Sequence, residues 1–136
     1  MVDSDLVHRR AEALYTVYKR GLEEGLFSSM RNAAEWLRRQ PAPCYFISSE
    51  KASEWVGLVL AHKLPKRISD NQRRKAIRLT EEYIAYRGRH PYCGFSRDRI
   101  METIVEMPAP EFYLSADGVR RILRQYIREV RISKGW

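Results

Sequence analysis

One segment of the sequence occurs twice, and this repeat constrains the fold more than any other feature. Residues 40–48 read QPAPCYFIS, and residues 107–115 read MPAPEFYLS, 67 positions later. Weaker similarity precedes both copies: residues 15–18 (YTVY) and 27–28 (FS) return at 83–86 (YIAY) and 95–96 (FS), 68 positions later. Self-similarity at a fixed spacing is typical of one structural unit present in two copies. The sequence therefore predicts an internal duplication.

The chain of 136 residues has the length of one ordinary domain. We expect a single domain over residues 1–136, with repeats at about 4–62 and 69–132 and a basic connector at 63–68. Within each repeat, apolar residues recur every three or four positions, which predicts three helices per unit and a mostly α fold. We expect the two units to be related by a pseudo-twofold axis. The predicted helices cover about 4–24, 29–40, 49–62, 69–88, 96–107 and 116–132.

The Pro-Ala-Pro sequence has a structural explanation that requires no ligand. Its first proline, Pro41, ends the preceding helix, because proline lacks an N–H donor and clashes with the preceding turn. Its second proline, Pro43, favours an extended conformation for the alanine before it. Ser48 then caps the next helix, and the aromatic residues between are expected in the core. The residues of this framework are Pro41, Pro43, Tyr45, Phe46 and Ser48 in the first copy and Pro108, Pro110, Phe112, Tyr113 and Ser115 in the second.

Two extended segments in one domain have backbone groups that need hydrogen-bond partners. Each copy offers the other a matching set of these groups. We therefore predict that residues 44–47 and 111–114 pair in antiparallel fashion about the pseudo-twofold axis.

Motifs for catalysis, metal binding and cofactor binding are lacking from the sequence. It has no glycine-rich phosphate loop, no His-Glu-x-x-His helix and no Gly-x-Ser-x-Gly elbow. Cys44 and Cys93 do not have metal-ligand spacing. His90 and Cys93 lie close together in a predicted loop and could form a nucleophilic pair, although an ordinary loop explains them as well. We predict a protein that is not an enzyme and uses no metal or cofactor.

No stretch of the sequence approaches the roughly 20 apolar residues of a membrane-spanning helix. The first residues also lack the basic and apolar regions of a signal peptide. We expect a cytoplasmic protein without a membrane partner.

The excess of positive over negative charge is confined to the second half of the chain. The formal net charge is +8. Residues 1–62 contain 8 Lys or Arg and 8 Asp or Glu, whereas residues 63–136 contain 17 and 9, so that 17 − 9 = +8. A one-sided basic surface favours association with polyanions through counterion release. Nucleic acid, and DNA rather than RNA, is therefore the predicted partner.

Arginines at helical spacing give this charge a position. The last predicted helix, 116–132, carries a stripe of arginines, and the long predicted helix 69–88 carries a second group. Arginine forms bidentate contacts with phosphate and guanine. The last helix is also third in its unit, as is the recognition helix of helix-turn-helix and homeodomain proteins, although the segment 108–115 is about twice as long as a usual turn. The predicted contact residues are Arg120, Arg121, Arg124, Arg128, Arg131, Arg73, Arg74 and Arg78.

Two other interpretations of these residues stay open at the level of sequence. Charged helix faces are often simply solvated. The repeated aromatic segments or helix faces could instead bind a protein partner, which would make the chain an interaction or assembly module without nucleic-acid binding. The oligomeric state has no signature in the sequence.

The two Pro-Ala-Pro segments also carry a resemblance. The sequence resembles small uncharacterised bacterial proteins, often encoded near mobile or phage-derived genes, that contain one or two Pro-Ala-Pro-x-Phe-Tyr-aliphatic-Ser segments. The match rests on residues 41–48 and 108–115 and, more loosely, on the surrounding helices. The first copy departs from it, because Tyr45 and Phe46 reverse the aromatic order of the second. The resemblance implies no established activity.

Overall fold

The computed structural model describes residues 2–135, which form one compact helical domain. Six α-helices and no β-strands are present in this part of the chain. The helices have the number and approximate positions that the periodicity predicts. Their bounds are Val2–Glu23 (α1), Met30–Leu37 (α2), Ser49–Leu60 (α3), Asp70–Arg89 (α4), Arg97–Ile104 (α5) and Ala116–Ser133 (α6).

Local signals explain where these helices begin and end. Each helix after α1 has a serine N-cap whose hydroxyl accepts a hydrogen bond from a backbone N–H in the first turn. At α4, Ser69 and Gln72 form a capping box, in which each side chain accepts a hydrogen bond from the other residue's backbone N–H. Gly25 follows α1 with a φ of 66°, a left-handed conformation that glycine adopts without penalty. The N-cap serines are Ser29, Ser48, Ser69, Ser96 and Ser115.

The third helix of each half packs on the other half. Helix α6 contacts α1 and α2, and helix α3 contacts α4 and α5. Among the described residues, α3 makes no helix contact with α1 or α2, and α6 makes none with α4 or α5. The packing groups are therefore α1, α2 and α6, and α4, α5 and α3. They differ from the two sequential three-helix units that the sequence predicts, because the extended Pro-Ala-Pro segments carry the chain across to the other half.

The two Pro-Ala-Pro segments meet at their alanines. The N–H of Ala42 donates to the carbonyl of Ala109 at 3.0 Å, and the N–H of Ala109 donates to that of Ala42 at 2.9 Å, forming an isolated antiparallel bridge. The predicted ladder between residues 44–47 and 111–114 is not formed. Phe46 and Tyr113 have φ values of 51° and 57°, which interrupt the extended backbone at that point.

Aromatic side chains of both segments fill the centre of the core. The Phe46 and Phe112 rings stack with centroids 6.0 Å apart, and the Tyr45 and Tyr113 rings stack at 6.3 Å. All four residues are buried. The structure thus confirms the prediction that these aromatic residues lie in the core. Fully buried aliphatic side chains surround the stacks, including Leu14, Leu37, Leu79, Ile100, Ile104 and Leu123.

Replacing Gly21 with alanine should destabilise the protein by about 1–3 kcal/mol, the usual range for overpacking. A Cβ at Gly21 would lie 2.6 Å from a ring carbon of Phe27 and 3.1 Å from one of Trp36, and packed rings yield less than flexible chains. Gly88→Ala is the matched control, because nothing lies within 4 Å of that Cβ. The control should stabilise α4 by up to about 1 kcal/mol. Urea denaturation of both variants tests this, and equal effects would contradict the packing at Gly21.

Candidate nucleic-acid interface

Helix α6 has two chemically distinct faces. Its apolar face, with Val119 and Leu123 fully buried, packs on α1 and α2. Its opposite face is formed by four exposed arginines, which we call the α6 arginine face. At the usual rise per residue these arginines extend over about 15 Å along the helix axis. They are Arg121, Arg124, Arg128 and Arg131.

No arginine of this face forms an ion pair among the described residues. The acidic residues of the helix do not neutralise it. Asp117 pairs with Arg120, and Glu129 accepts a hydrogen bond from the Gln125 side chain at 3.2 Å. Arg120 therefore lies at the edge of the face with its charge compensated.

The predicted arginines of α4 differ from those of the α6 arginine face in that each has a hydrogen-bond or ion-pair partner within the chain. Arg74 donates two hydrogen bonds to the Glu111 carboxylate, at 2.5 and 2.8 Å. Hydrogen bonding to Glu111 raises the pKa of the Arg74 guanidinium. Arg73 donates to the carbonyl oxygens of Pro65 and Lys66 at 3.1 and 3.4 Å. Arg78 pairs with Glu82 at 3.0 Å. Because α4 and α6 do not pack together, the structure does not unite the two predicted arginine groups in one cluster.

The structure also reveals a cationic site that the sequence does not single out. Arg10, Lys51 and Lys75, which come from three helices, line one cleft together with Arg121. Lys75 is only 8% exposed. Its position four residues before the buried Leu79 was the available signal, since this spacing places both side chains on one face of α4.

The loop after α4 does not bring His90 and Cys93 together as a nucleophilic pair. The Cys93 N–H donates to the His90 carbonyl oxygen at 3.0 Å, and the Cys93 sulfur accepts from the Phe95 N–H at 3.4 Å. The His90 ring instead packs against Tyr86, with centroids 4.5 Å apart. These are the contacts of an ordinary turn.

The described residues offer neither a metal-binding cluster nor a helix that spans a membrane. No group of three or more His, Cys, Asp or Glu side chains in residues 5–135 is arranged to hold a metal ion. None of the six helices is long and apolar enough to cross a membrane.

Comparisons of the chain with protein-family models, with curated proteins and with solved structures find no match.

Proposed function

We propose that the protein is a non-enzymatic nucleic-acid-binding protein whose α6 arginine face contacts DNA phosphates. The observation that carries this proposal is the row of four exposed arginines without ion-pair partners in the described part of the chain. Uncompensated arginines at one helix face are suited to release condensed counterions from a polyanion. The α4 arginines, which contact the protein itself, are no part of this interface.

The shape of the site favours DNA over RNA. The major groove of B-DNA is about 12 Å wide and admits an α-helix, whereas the deep, narrow major groove of A-form RNA does not. Helix α6 lies on the outside of the domain and presents its arginines along one side. It does not pack on α5, so its mode of binding differs from that of a helix-turn-helix, in which the recognition helix follows its supporting helix directly.

Substituting glutamine for Arg124, Arg128 and Arg131 together should weaken binding to duplex DNA and flatten its dependence on salt. Each lost phosphate contact reduces the slope of log K against log salt by about 0.9, so three contacts reduce it by about 2.7. The measurement is a fluorescence anisotropy titration of a short duplex with unphosphorylated ends at several salt concentrations. Circular dichroism confirms that the variant is folded.

The matched control replaces Arg20, Arg31 and Arg39 with glutamine. These three arginines are exposed, have no ion pair in the described residues and give the same change in net charge. The control should retain most of the salt slope. If both triple variants lose the same affinity and slope, binding is diffuse and the α6 arginine face is not the interface. If the native protein does not bind duplex DNA at low salt, the proposed function is wrong.

A protein-interaction function is the second candidate, and helix α4 favours it. Ile77 and Ile84, seven residues apart on one side of α4, are 43% and 56% exposed. An exposed apolar stripe of this kind is suited to docking a partner in a regulatory or assembly complex. This candidate makes no use of the α6 arginine face, so the salt titration separates the two functions.

We also infer that the two halves derive from an internal duplication. Helices α2 and α5 each have 8 residues, and the N-caps Ser29 and Ser48 have counterparts 67 positions later. The left-handed residues Phe46 and Tyr113 have the same spacing. In a domain-swapped dimer, two copies of a protein exchange an identical element. The third helices of the two halves are exchanged in the same way within this single chain. The resemblance to small mobile-element or phage-associated bacterial proteins suggests where such a unit originates.

A further inference from the structure

The N-termini of three helices converge on one cleft, which we call the N-terminal cleft. Its lining includes the cap serines of α3, α4 and α6, namely Ser48, Ser69 and Ser115. The cleft has a volume of about 610 Å³, which is within the range of small-molecule sites. The first turn of a helix has N–H groups without intrahelical partners and the positive end of the helix dipole. Three such ends at one place favour an anion.

Side-chain charge in the N-terminal cleft has one sign. Four cationic residues line it, Arg10 from α1, Lys51 from α3, Lys75 from α4 and Arg121 from α6. No carboxylate is among the described residues that line it. The cations Arg10, Lys51 and Lys75 form no salt bridge among the described residues.

Lys75 and one atom of the Arg10 guanidinium are buried without a compensating group among the described residues. Lys75 is 92% buried, because 8% of its surface is exposed. Its ammonium has no hydrogen bond or salt bridge within the described residues. The Nε atom of Arg10 is buried and also has no hydrogen-bond partner there. A buried charge is normally paired or hydrogen-bonded, since its desolvation is otherwise unfavourable. The described residues thus supply no negative group that would balance the charges of Lys75 and Arg10.

The direction of the pKa shift at Lys75 agrees with this geometry. Burial, followed by repulsion from Arg10, lowers its pKa to about 8, an effect that Lys51 increases and Cys44 opposes. Burial, followed by repulsion from Arg121, lowers the pKa of Arg10. An anion in the cleft would reverse both effects.

The walls of the N-terminal cleft are apolar and aromatic. Leu6, Trp55, Tyr113 and Leu114 are part of its lining, beside the cations. A bare inorganic ion would leave this surface unused. A phosphate group attached to an aromatic or apolar body would contact both kinds of surface, and a mononucleotide has this composition and a fitting size.

We propose that the N-terminal cleft is a phosphate-binding site that takes the phosphate monoester of a nucleotide, with Lys75 and Arg10 as its principal ligands. The phosphate could come from a free mononucleotide or from the 5′ end of a nucleic-acid strand. The proposal does not rest on the proposed function, because Lys75 and Arg10 lie outside the α6 arginine face. The two sites share Arg121, which is unchanged in the variants that test either of them.

Thermal unfolding with AMP tests the site. At concentrations well above its dissociation constant, AMP should raise Tm by roughly 5–10 °C at pH 7, because a ligand that binds only the folded state stabilises it. Inorganic phosphate should give a smaller shift, and adenosine, or sodium chloride at equal ionic strength, almost none. A 5′-phosphorylated single strand compared with the same strand bearing a 5′-hydroxyl identifies which source of phosphate the cleft accepts.

Variants assign the effect to the cleft. Lys75→Met removes the buried ammonium and should weaken AMP binding at least tenfold by isothermal titration calorimetry. Arg10→Met should act in the same direction. Lys66→Met, which changes an exposed lysine of the connector, should bind AMP as the native protein does.

Two results would overturn the proposal. One is a shift in Tm with AMP or the phosphorylated strand that is no larger than the shift with sodium chloride. The other is an undiminished response to AMP in both Lys75→Met and Arg10→Met. Duplex binding by the α6 arginine face, measured with unphosphorylated ends, is a separate readout, so either proposal can fail while the other stands.

Discussion

Phe112→Ala should lower the free energy of unfolding by about 3–5 kcal/mol, the usual range for truncating a fully buried phenylalanine. Phe112 is 3% exposed and stacks on Phe46 with an angle of 7° between the rings. It also lies between the alanine bridge and the cap of α6, where neighbouring elements cannot easily collapse into the space. Urea denaturation measures the effect, as a lower midpoint with an unchanged m-value.

Phe95→Ala is the control for this prediction. Phe95 is 50% exposed in the loop before α5, so its truncation should cost less than about 1 kcal/mol. A double-mutant cycle of Phe46 and Phe112 should give a coupling of about 0.5–1.5 kcal/mol for the ring stack. A loss in Phe112→Ala that is as small as the loss in Phe95→Ala would contradict a shared core built from the two repeated segments.

Local chemistry made most of the helices predictable from the sequence. Serine caps, the capping box at Ser69 and the prolines that follow α2 and α5 act within a few residues, so the sequence itself displays them. The arginine stripe of α6 was predictable for the same reason. Its spacing places the arginines opposite Val119 and Leu123, and these are the buried residues of that helix.

The exchange of third helices was not predictable, because the apolar stripe of α3 fits either half equally well as a pattern. The path of residues 41–48 decides which half α3 packs on. That path depends on a backbone conformation that cannot be inferred from the residue types. Phe46 and Tyr113 adopt positive φ, although neither is glycine or asparagine. The same limit applies to the N-terminal cleft, whose residues come from four helices and converge only after the exchange.

The difference between the two groups of arginines was also hidden in the sequence. Arg74 and Arg124 both follow a helical pattern of basic residues, yet Arg74 contacts Glu111, which is 37 positions away. Helical spacing identifies a common face but does not identify the element that packs on it. The exposed charge of α6 is a property of its position at the outside of the domain.

Lys75→Met should increase the free energy of unfolding by about 3 kcal/mol at pH 7 in the absence of phosphate. In the folded protein, burial lowers the pKa of Lys75 from 10.5 to about 8. Each unit of this shift corresponds to about 1.4 kcal/mol of unfavourable free energy when the charged form is the one that is buried. Methionine fills a similar volume without an ammonium to desolvate, so the variant avoids this penalty. Urea denaturation is again the measurement, with Lys66→Met as the exposed control.

The stabilising effect of Lys75→Met should depend on pH in one direction. Below pH 8 the lysine is protonated in both states of the native protein, so its full penalty is present. Between pH 8 and 10.5 the unfolded chain binds more protons at this site than the folded one, and the native protein gains stability from it as the pH rises. The advantage of the variant should therefore shrink across this window and be nearly absent above it. A difference that stays constant from pH 7 to pH 10.5 would show that the Lys75 ammonium is not buried with the charges of Arg10 and Lys51 around it.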